Sequence, residues 1–321
     1  MTAAIQDIRI AEAAERLRGV IRRTPLVPFP SGDPRVELRL KLECLQECNA
    51  FKARGAWNQM AQLTPEQRAA GVVTVSSGNH GKAVAWAAQR AGVRATICMP
   101  ADAYPNKIQA CRDFGAEVVL CGTRQESERE VAKRVAAGAV LVHPYDSART
   151  IEGQGTVGLE IAEDWPEVEL VIIPVGGGGL VSGCALAFRG QVQVFGVEPE
   201  GAPDLTLALQ TGRPVPLAEV RTVVQGLCPP SAGKLPLEIC KCLGVRVFTL
   251  DDGAILAAQA RLVREGGWEV EPAGAAAAAL VFAGRLPAEL FQARARPLKV
   301  AVVVSGGNPD PAQLAALRAS T

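Results

Sequence analysis

The chain has 321 residues, of which 48% are hydrophobic and 21% charged, enough for one large or two modest domains. A net charge of +1 argues against nucleic acid or an anionic membrane surface as a partner. No apolar run approaches the roughly 20 residues needed to span a bilayer.

Residues 1–19, MTAAIQDIRIAEAAERLRG, are interrupted by charges throughout. They read as an amphipathic helix rather than a signal peptide, so a cytoplasmic protein is expected. Nine cysteines follow at irregular spacing without a CxxC pair, and only His80 and His143 could assist them. A structural zinc site is therefore not expected, and the cysteines read as reduced, buried thiols.

The segment Cys48-Asn49-Ala50-Phe51-Lys52-Ala53-Arg54-Gly55-Ala56 opens a helical stretch. Taken alone, Lys52 would be a surface lysine. Its apolar neighbours Ala50, Phe51 and Ala53 change that, because a poorly solvated ammonium loses its proton more easily. Such an amine can form a Schiff base with an aldehyde. Beyond it, short β-rich runs alternate with longer helical ones. Strands are predicted over 72–75, 95–99, 117–120, 140–143, 170–175, 192–197, 245–249 and 299–304, with helical spacing over 82–91 and 254–265. Several of the strands are continuous Val/Ile runs, the pattern of parallel sheets covered by helices on both faces. The class is α/β.

The strand at 170–175 runs into Gly176-Gly177-Gly178-Gly179-Leu180, and an apolar helical stretch, 181–188, follows. Glycine is entropically unfavourable unless the backbone needs its freedom. Here the bare backbone and the helix N-terminus make a phosphate cradle. No GK[ST] follows and the GxGxxG context is missing, so the phosphate belongs to something smaller than a nucleotide.

Four motifs then converge on one family. The Lys52 segment resembles the SFKxRGA of fold-type II pyridoxal-phosphate enzymes. Ser76-Ser77-Gly78-Asn79-His80-Gly81 resembles their asparagine loop, and Gly176–Leu180 their tetraglycine cradle. Ser305-Gly306-Gly307-Asn308 resembles the SGGN that meets the pyridine ring. Weaker similarities at Arg23–Leu26, Leu40–Glu43, Gly153–Thr156 and Glu271-Pro272 extend the match over almost the whole chain. The nearest branch is that of threonine and serine dehydratases and serine racemase.

The resemblance implies a two-domain, tryptophan-synthase-β-like fold. Residues 69–147 would form a small domain carrying the asparagine loop, and residues 1–68 with 148–321 a large cofactor-binding domain. It implies pyridoxal 5′-phosphate on Lys52, with Phe51 beside the ring, Gly176, Gly177, Gly178, Gly179 and Leu180 around the phosphate, and Asn79 on the ring hydroxyl. Ser305 would face the pyridine nitrogen. A hydroxyl there shares only a neutral hydrogen bond, which weakens the electron sink and suits prompt β-elimination. The backbone amides and hydroxyls of Ser76, Ser77, Asn79 and His80 would hold the substrate carboxylate, with Lys52 and Ser77 as the catalytic pair.

The implied reaction is β-elimination of water from a small β-hydroxy amino acid, L-threonine or L-serine, after which the released enamine takes up water and gives a 2-keto acid and ammonia. Alternatives are serine racemase, with Ser77 as the acid opposite Lys52, a hydroxyaspartate-type dehydratase, and a non-catalytic cofactor binder. Glu198, Ala202 and Asp204 match a divalent-cation loop of this branch, whose oxygen ligands suit Mg2+ or Ca2+. A homodimer is implied by analogy. Departures from the family pattern leave the substrate open: Asn49-Ala50 replaces Gly-Ser, Lys82 replaces glutamine, Gln225-Gly226 replaces Asp-Gly, and Cys228-Pro229-Pro230 stands where substrate-facing residues are common.

Overall fold

The computed structural model describes residues 3–319. The helix expected over residues 1–19 is two helices, Ala3–Gln6 and Ile10–Leu17, and its first two residues lie outside the described ones. The break has a partner: the Arg9 N–H donates to the Glu152 carboxylate instead of continuing a helix.

Among the described residues ten strands form two sheets. They are β1 (Leu26–Phe29), β2 (Val36–Lys41), β3 (Val72–Val75), β4 (Ala95–Pro100), β5 (Glu117–Cys121), β6 (Val140–Leu141), β7 (Leu170–Pro174), β8 (Gln193–Pro199), β9 (Arg246–Leu250) and β10 (Leu298–Val303). One sheet has the order β1-β2-β10-β7-β8-β9 and the other β5-β4-β3-β6. Every pairing is parallel except β1 with β2. That antiparallel edge hairpin departs from the expectation of parallel sheets alone, and neither of its strands was anticipated. Pro28 lacks a ladder donor and is tolerated because β1 is an edge. β2, VELRLK, carries alternating charges whose apolar partners Val36, Leu38 and Leu40 face the core.

All five residues of β7 are buried, as are most of β10, so the middle of the larger sheet reads as one continuous apolar run. The Ala-rich helix Pro272–Phe282 lies against this sheet with nine of its residues buried. On the other face, three helices are drawn together by glycines. A Cβ on Gly153 would stand 2.7 Å from the Arg54 carbonyl oxygen, and one on Gly155 2.7 Å from that of Gly183. The helix Ala148–Asp164 thereby holds the helix Lys52–Ala61 and the helix Gly179–Phe188 at close range. The two elements carrying the reactive amine and the glycine loop are thus seated on a common support.

Behind Lys52 runs a buried ionic network. Arg54 pairs with Glu43 and Glu160, and Lys41 pairs with Glu160 and donates to the Thr24 carbonyl. Arg54, Glu43 and Lys41 are completely buried, so each charge depends on these partners.

Candidate active site

Lys52 is the first residue of its helix, and the preceding residues reach it in an unusual way. Cys48 and Asn49 adopt φ of 59° and 56°, left-handed backbone for two non-glycine residues. Such strain persists where surrounding contacts over-determine it. Ala50 then bridges to Gly306, and the Phe51 N–H donates to the Ser305 carbonyl at 3.1 Å. These contacts join the lysine turn to the SGGN segment at the end of β10.

The Lys52 ammonium donates to the Pro144 carbonyl at 2.8 Å and lies 5.0 Å from the Phe51 ring centroid. Among the described residues no carboxylate pairs with it. The side chain keeps some exposed surface, but its charged end is enclosed, and burial pulls the amine down to about 8. Pro144 is held by its neighbours. The His143 Nδ1 accepts from the Asp146 N–H at 2.8 Å, and the Asp146 carboxylate caps the helix Lys234–Cys242 at Lys234 and Leu235.

The next residue, Tyr145, lies on the glycine loop. A Cβ on Gly177 would sit 2.2 Å from the Tyr145 ring, and one on Gly179 2.9 Å from the Tyr145 Cα. Gly178 has φ +90° and a Cβ there would meet Pro236 at 2.8 Å. The Tyr145 hydroxyl donates to the Ser231 carbonyl at 3.0 Å. Pro144 and Tyr145 therefore span directly from the amine to the four-glycine turn. Leu180 is buried in the first turn of the following helix.

Asn79 starts the helix Asn79–Ala91. Its Nδ2 donates to Glu271 and its Oδ1 accepts from Asn308 at 2.9 Å. Burial pushes the Glu271 carboxyl above its usual range, against the nearby charges of Lys107 and Lys82. A Cβ on Gly306 would lie 2.1 Å from Glu271 and 3.1 Å from the Asn79 amide nitrogen, so Asn79 abuts the residue that follows Ser305. The Ser76 hydroxyl accepts from the Gly78 N–H at 3.2 Å, and Ser77 is exposed. Ser305 is buried, its hydroxyl 3.4 Å from the Ala273 carbonyl.

His80 follows Asn79 in the first turn of the helix. Its side chain turns away from the loop into the core, with Nε2 3.1 Å from Thr74 Oγ1 and 3.0 Å from the Val142 carbonyl. Burial, then the Lys52 charge, pulls it down to about 3. The imidazole is thus neutral and structural, and only the His80 main chain faces the loop's helix start, where the first-turn N–H groups lack intrahelical acceptors.

At the end of β8, the Glu198 carboxylate accepts from the N–H groups of Leu205 and Thr206 and from the Thr206 hydroxyl. Asp204 is fully buried and both its oxygens lack a hydrogen-bond partner. Burial raises each carboxyl to about 7. Ala202 is buried between them in sequence. No cluster of three or more His, Cys, Asp or Glu side chains suited to a metal occurs among the described residues. Leu205 lies 3.9 Å from the Cβ position of Gly178, so this loop packs beneath the glycine turn.

Sequence reasoning passed over Pro144, Tyr145, Glu271 and Asn308 as site residues. The last two stand inside matched motifs, and that was the available signal. Pro144 acts through its carbonyl and Tyr145 through ring packing, neither of which a sequence displays.

No helix among the described residues is long and apolar enough to cross a membrane. A family model described as "Pyridoxal-phosphate dependent enzyme" matches residues 17–306. The L-threonine ammonia-lyase of Thermotoga maritima is 39% identical over 95% of this chain and 76% of its own. The phenylserine dehydratase of Ralstonia pickettii is 37% identical over 95% of this chain and 94% of its own. The solved structure of maize serine racemase superposes with a TM-score of 0.88 at 35% identity, covering 96% of this chain and 94% of that one.

Proposed function

The chain belongs to the pyridoxal-phosphate dependent enzyme family, and from that premise we propose that it eliminates water from a small β-hydroxy amino acid, the released enamine then hydrolysing to a 2-keto acid and ammonia. The observation that carries this is the Pro144-Tyr145 span, which sets an enclosed, unpaired amine beside a four-glycine turn.

The residues fit that cofactor. Gly176 to Gly179 lead into the N-terminus of the helix Gly179–Phe188, whose first main-chain N–H groups lack intrahelical acceptors, and Lys52 is the amine the cofactor's aldehyde requires. Pyridoxal phosphate supplies the electron sink for cleavage at Cα and Cβ. Lys52 would hold it covalently and would move the proton at the substrate Cα. Gly176 to Gly179 and Leu180 would bind its phosphate through main-chain N–H groups and a helix N-terminus. Phe51 would lie beside the ring, Asn79 would donate to the ring hydroxyl, and Ser305 would meet the ring nitrogen without protonating it. The exposed first turn at Ser76, Ser77 and Asn79, with the His80 main chain, receives the substrate carboxylate.

Relatives named L-threonine ammonia-lyase and phenylserine dehydratase place hydroxy amino acids of different bulk within reach of this scaffold. Serine racemization is the second function supported. Ser77 is exposed and its hydroxyl has no protein partner, as an acid on the face opposite Lys52 requires.

Three finer features belong to the same proposal: two domains divided near residues 69 and 147, a cytoplasmic homodimer, and Mg2+ or Ca2+ held by Glu198, the Ala202 carbonyl and Asp204. The orphaned Asp204 oxygens support the cation. Added Mg2+ or Ca2+ is expected to raise the melting temperature of the wild type and leave D204N unmoved. Equal responses would remove the cation.

The decisive assay incubates the holoenzyme with L-serine, L-threonine and phenylserine and measures keto acid, ammonia and D-serine together. Keto acid and ammonia in equal amounts, lost in K52A, are expected. Dominant D-serine would transfer the assignment to racemization. A protein inert towards the whole panel would overturn both.

A further inference from the structure

Lys82 stands half-buried on the first turn of the helix Asn79–Ala91 and donates to Asn308 Oδ1 at 2.7 Å. Asn308 Nδ2 in turn donates to Asn79 Oδ1 and to the Cys48 carbonyl, each at 2.9 Å. Asn79 Nδ2 donates to Glu271 Oε1. The chain runs from an ammonium, through two amides, to a carboxyl group.

Its direction is decided at the ends. An ammonium only donates, so the Asn308 oxygen faces Lys82. A main-chain carbonyl only accepts, so the Asn308 nitrogen faces Cys48. That nitrogen has then spent both hydrogens, one on Cys48 and one on Asn79, and Asn79 must present its oxygen to Asn308. Its nitrogen is left pointing at Glu271, with one hydrogen free of protein partners. Amide orientation is normally ambiguous between O and N, and here the donor inventory settles it. Hydrogen bonds aligned head to tail also polarise one another.

We propose that Lys82 is a positioning residue that acts through Asn308 to fix the direction of the Asn79 amide, keeping an N–H donor turned towards the cofactor. This rests on the functional reading above. Asn308 is suited to the task because it gathers three parts of the site. It holds the strained Cys48–Asn49 turn that leads into Lys52, the start of the asparagine-loop helix, and, through its carbonyl, the Lys107 ammonium at 3.0 Å. Without a donor at position 82, the Asn308 oxygen loses its partner. Only the Cys48 carbonyl and Glu271 then still hold the two amides in this sense, so the Asn79 donor is less firmly kept towards the cofactor.

The test compares K82M, which keeps chain length and removes the donor, with K82Q, which restores an N–H. Cofactor dissociation constants are measured by equilibrium dialysis, and the visible spectrum of the bound cofactor is recorded beside them. K82M is expected to weaken cofactor binding about tenfold and shift its absorption maximum, as loss of one charge-assisted hydrogen bond implies. K82Q should return both properties to within about threefold of the wild type, with the melting temperature of the apoprotein unchanged in either variant. K82M matching the wild type in affinity and spectrum would overturn the proposal. So would K82Q failing as badly as K82M, since charge rather than a donor would then matter. A wild type that binds no cofactor would overturn the functional reading as well, and no other outcome touches it.

Discussion

The Arg54 guanidinium meets the Glu43 carboxylate through two hydrogen bonds, Nε to Oε2 at 2.8 Å and Nη2 to Oε1 at 2.7 Å, with neither side chain reaching solvent. Glu160 closes the other side of the same guanidinium at 2.6 and 2.8 Å. Breaking a buried pair leaves an uncompensated charge, which costs about 3–5 kcal/mol, far more than any surface pair contributes. E43A is therefore expected to lose stability on that scale in urea denaturation, and R54M, which strands Glu43 and exposes Glu160 to Lys41 alone, to lose at least as much. Cutting the exposed Arg18–Glu15 pair should change stability by less than about 1 kcal/mol. Equal effects at the two places would mean that water reaches the Arg54 network.

Gly177 offers a sharper geometric test. Its Cβ position lies inside the Tyr145 ring, 2.2 to 2.4 Å from three ring atoms, and Gly177 is buried. G177A must push the ring away from the turn, strain the Tyr145 hydroxyl bond to Ser231, and disturb Pro144, whose carbonyl holds Lys52. Overpacking of this kind costs about 1–3 kcal/mol. The variant should lose that much stability and also retain the cofactor poorly in dialysis. Y145A with G177A should relieve the clash, so the double variant should be less destabilised than the sum of the single ones. Additive losses would show that ring and glycine do not oppose each other.

How much of this could be read from the sequence depends on where the information lies. The Val/Ile runs of β7 and β10 announced buried strands, because burial on both faces leaves no room for alternation. β2 was missed because Glu37, Arg39 and Lys41 disguise it, although Lys41 is itself completely buried. That burial is possible only because Glu160 and the Thr24 carbonyl, more than 100 and 17 residues away respectively, converge on it. Lys52 and the glycines were legible because their chemistry is local to one short motif. The direction of the Asn79 amide was not, since it depends on Lys82, Asn308, Cys48 and Glu271 meeting in space. The direction of the His80 side chain was not legible either, since the Thr74 hydroxyl and the Val142 carbonyl that receive it come from two other parts of the chain.

The placement of His80 predicts sensitivity to acid. The Val142 carbonyl can only accept, so Nε2 carries the proton and Nδ1 is left buried and unpartnered. The folded imidazole is pulled down to about 3, chiefly by burial, whereas an unfolded histidine protonates near 6.5. Between those values the unfolded chain binds a proton that the folded chain refuses, so stability falls as pH falls through that window. At about pH 5 the loss from this group is about 2 kcal/mol. H80Q should flatten that part of the stability curve between about pH 7 and 5. A wild-type curve no steeper than that of H80Q would show that the ring accepts its proton without unfolding.

Lys52 obeys the same linkage with a different consequence. Burial pulls its amine from the ordinary lysine value to about 8, and no carboxylate compensates it. Capture of an aldehyde requires the neutral amine, so below about 8 the protonated form holds capture back, and above it the rate levels off. In the apoprotein, covalent capture of pyridoxal phosphate, trapped with borohydride and counted by mass spectrometry, should rise with pH to a midpoint near 8. For a solvated lysine the midpoint would lie about two units higher. K52A should capture nothing at that position at any pH. The stability of the apoprotein carries the same signature. Below 8 both states hold the charge and the folded one bears its full desolvation penalty. As pH rises from about 8 to about 10.5 the folded amine deprotonates first and the penalty is relieved, so this group's contribution to stability grows across that window and K52M should lack the rise. A capture midpoint above about 10 would mean that the ammonium stays solvated in the apoprotein, and the enclosure beside Phe51 and Pro144 would then not be what makes it reactive.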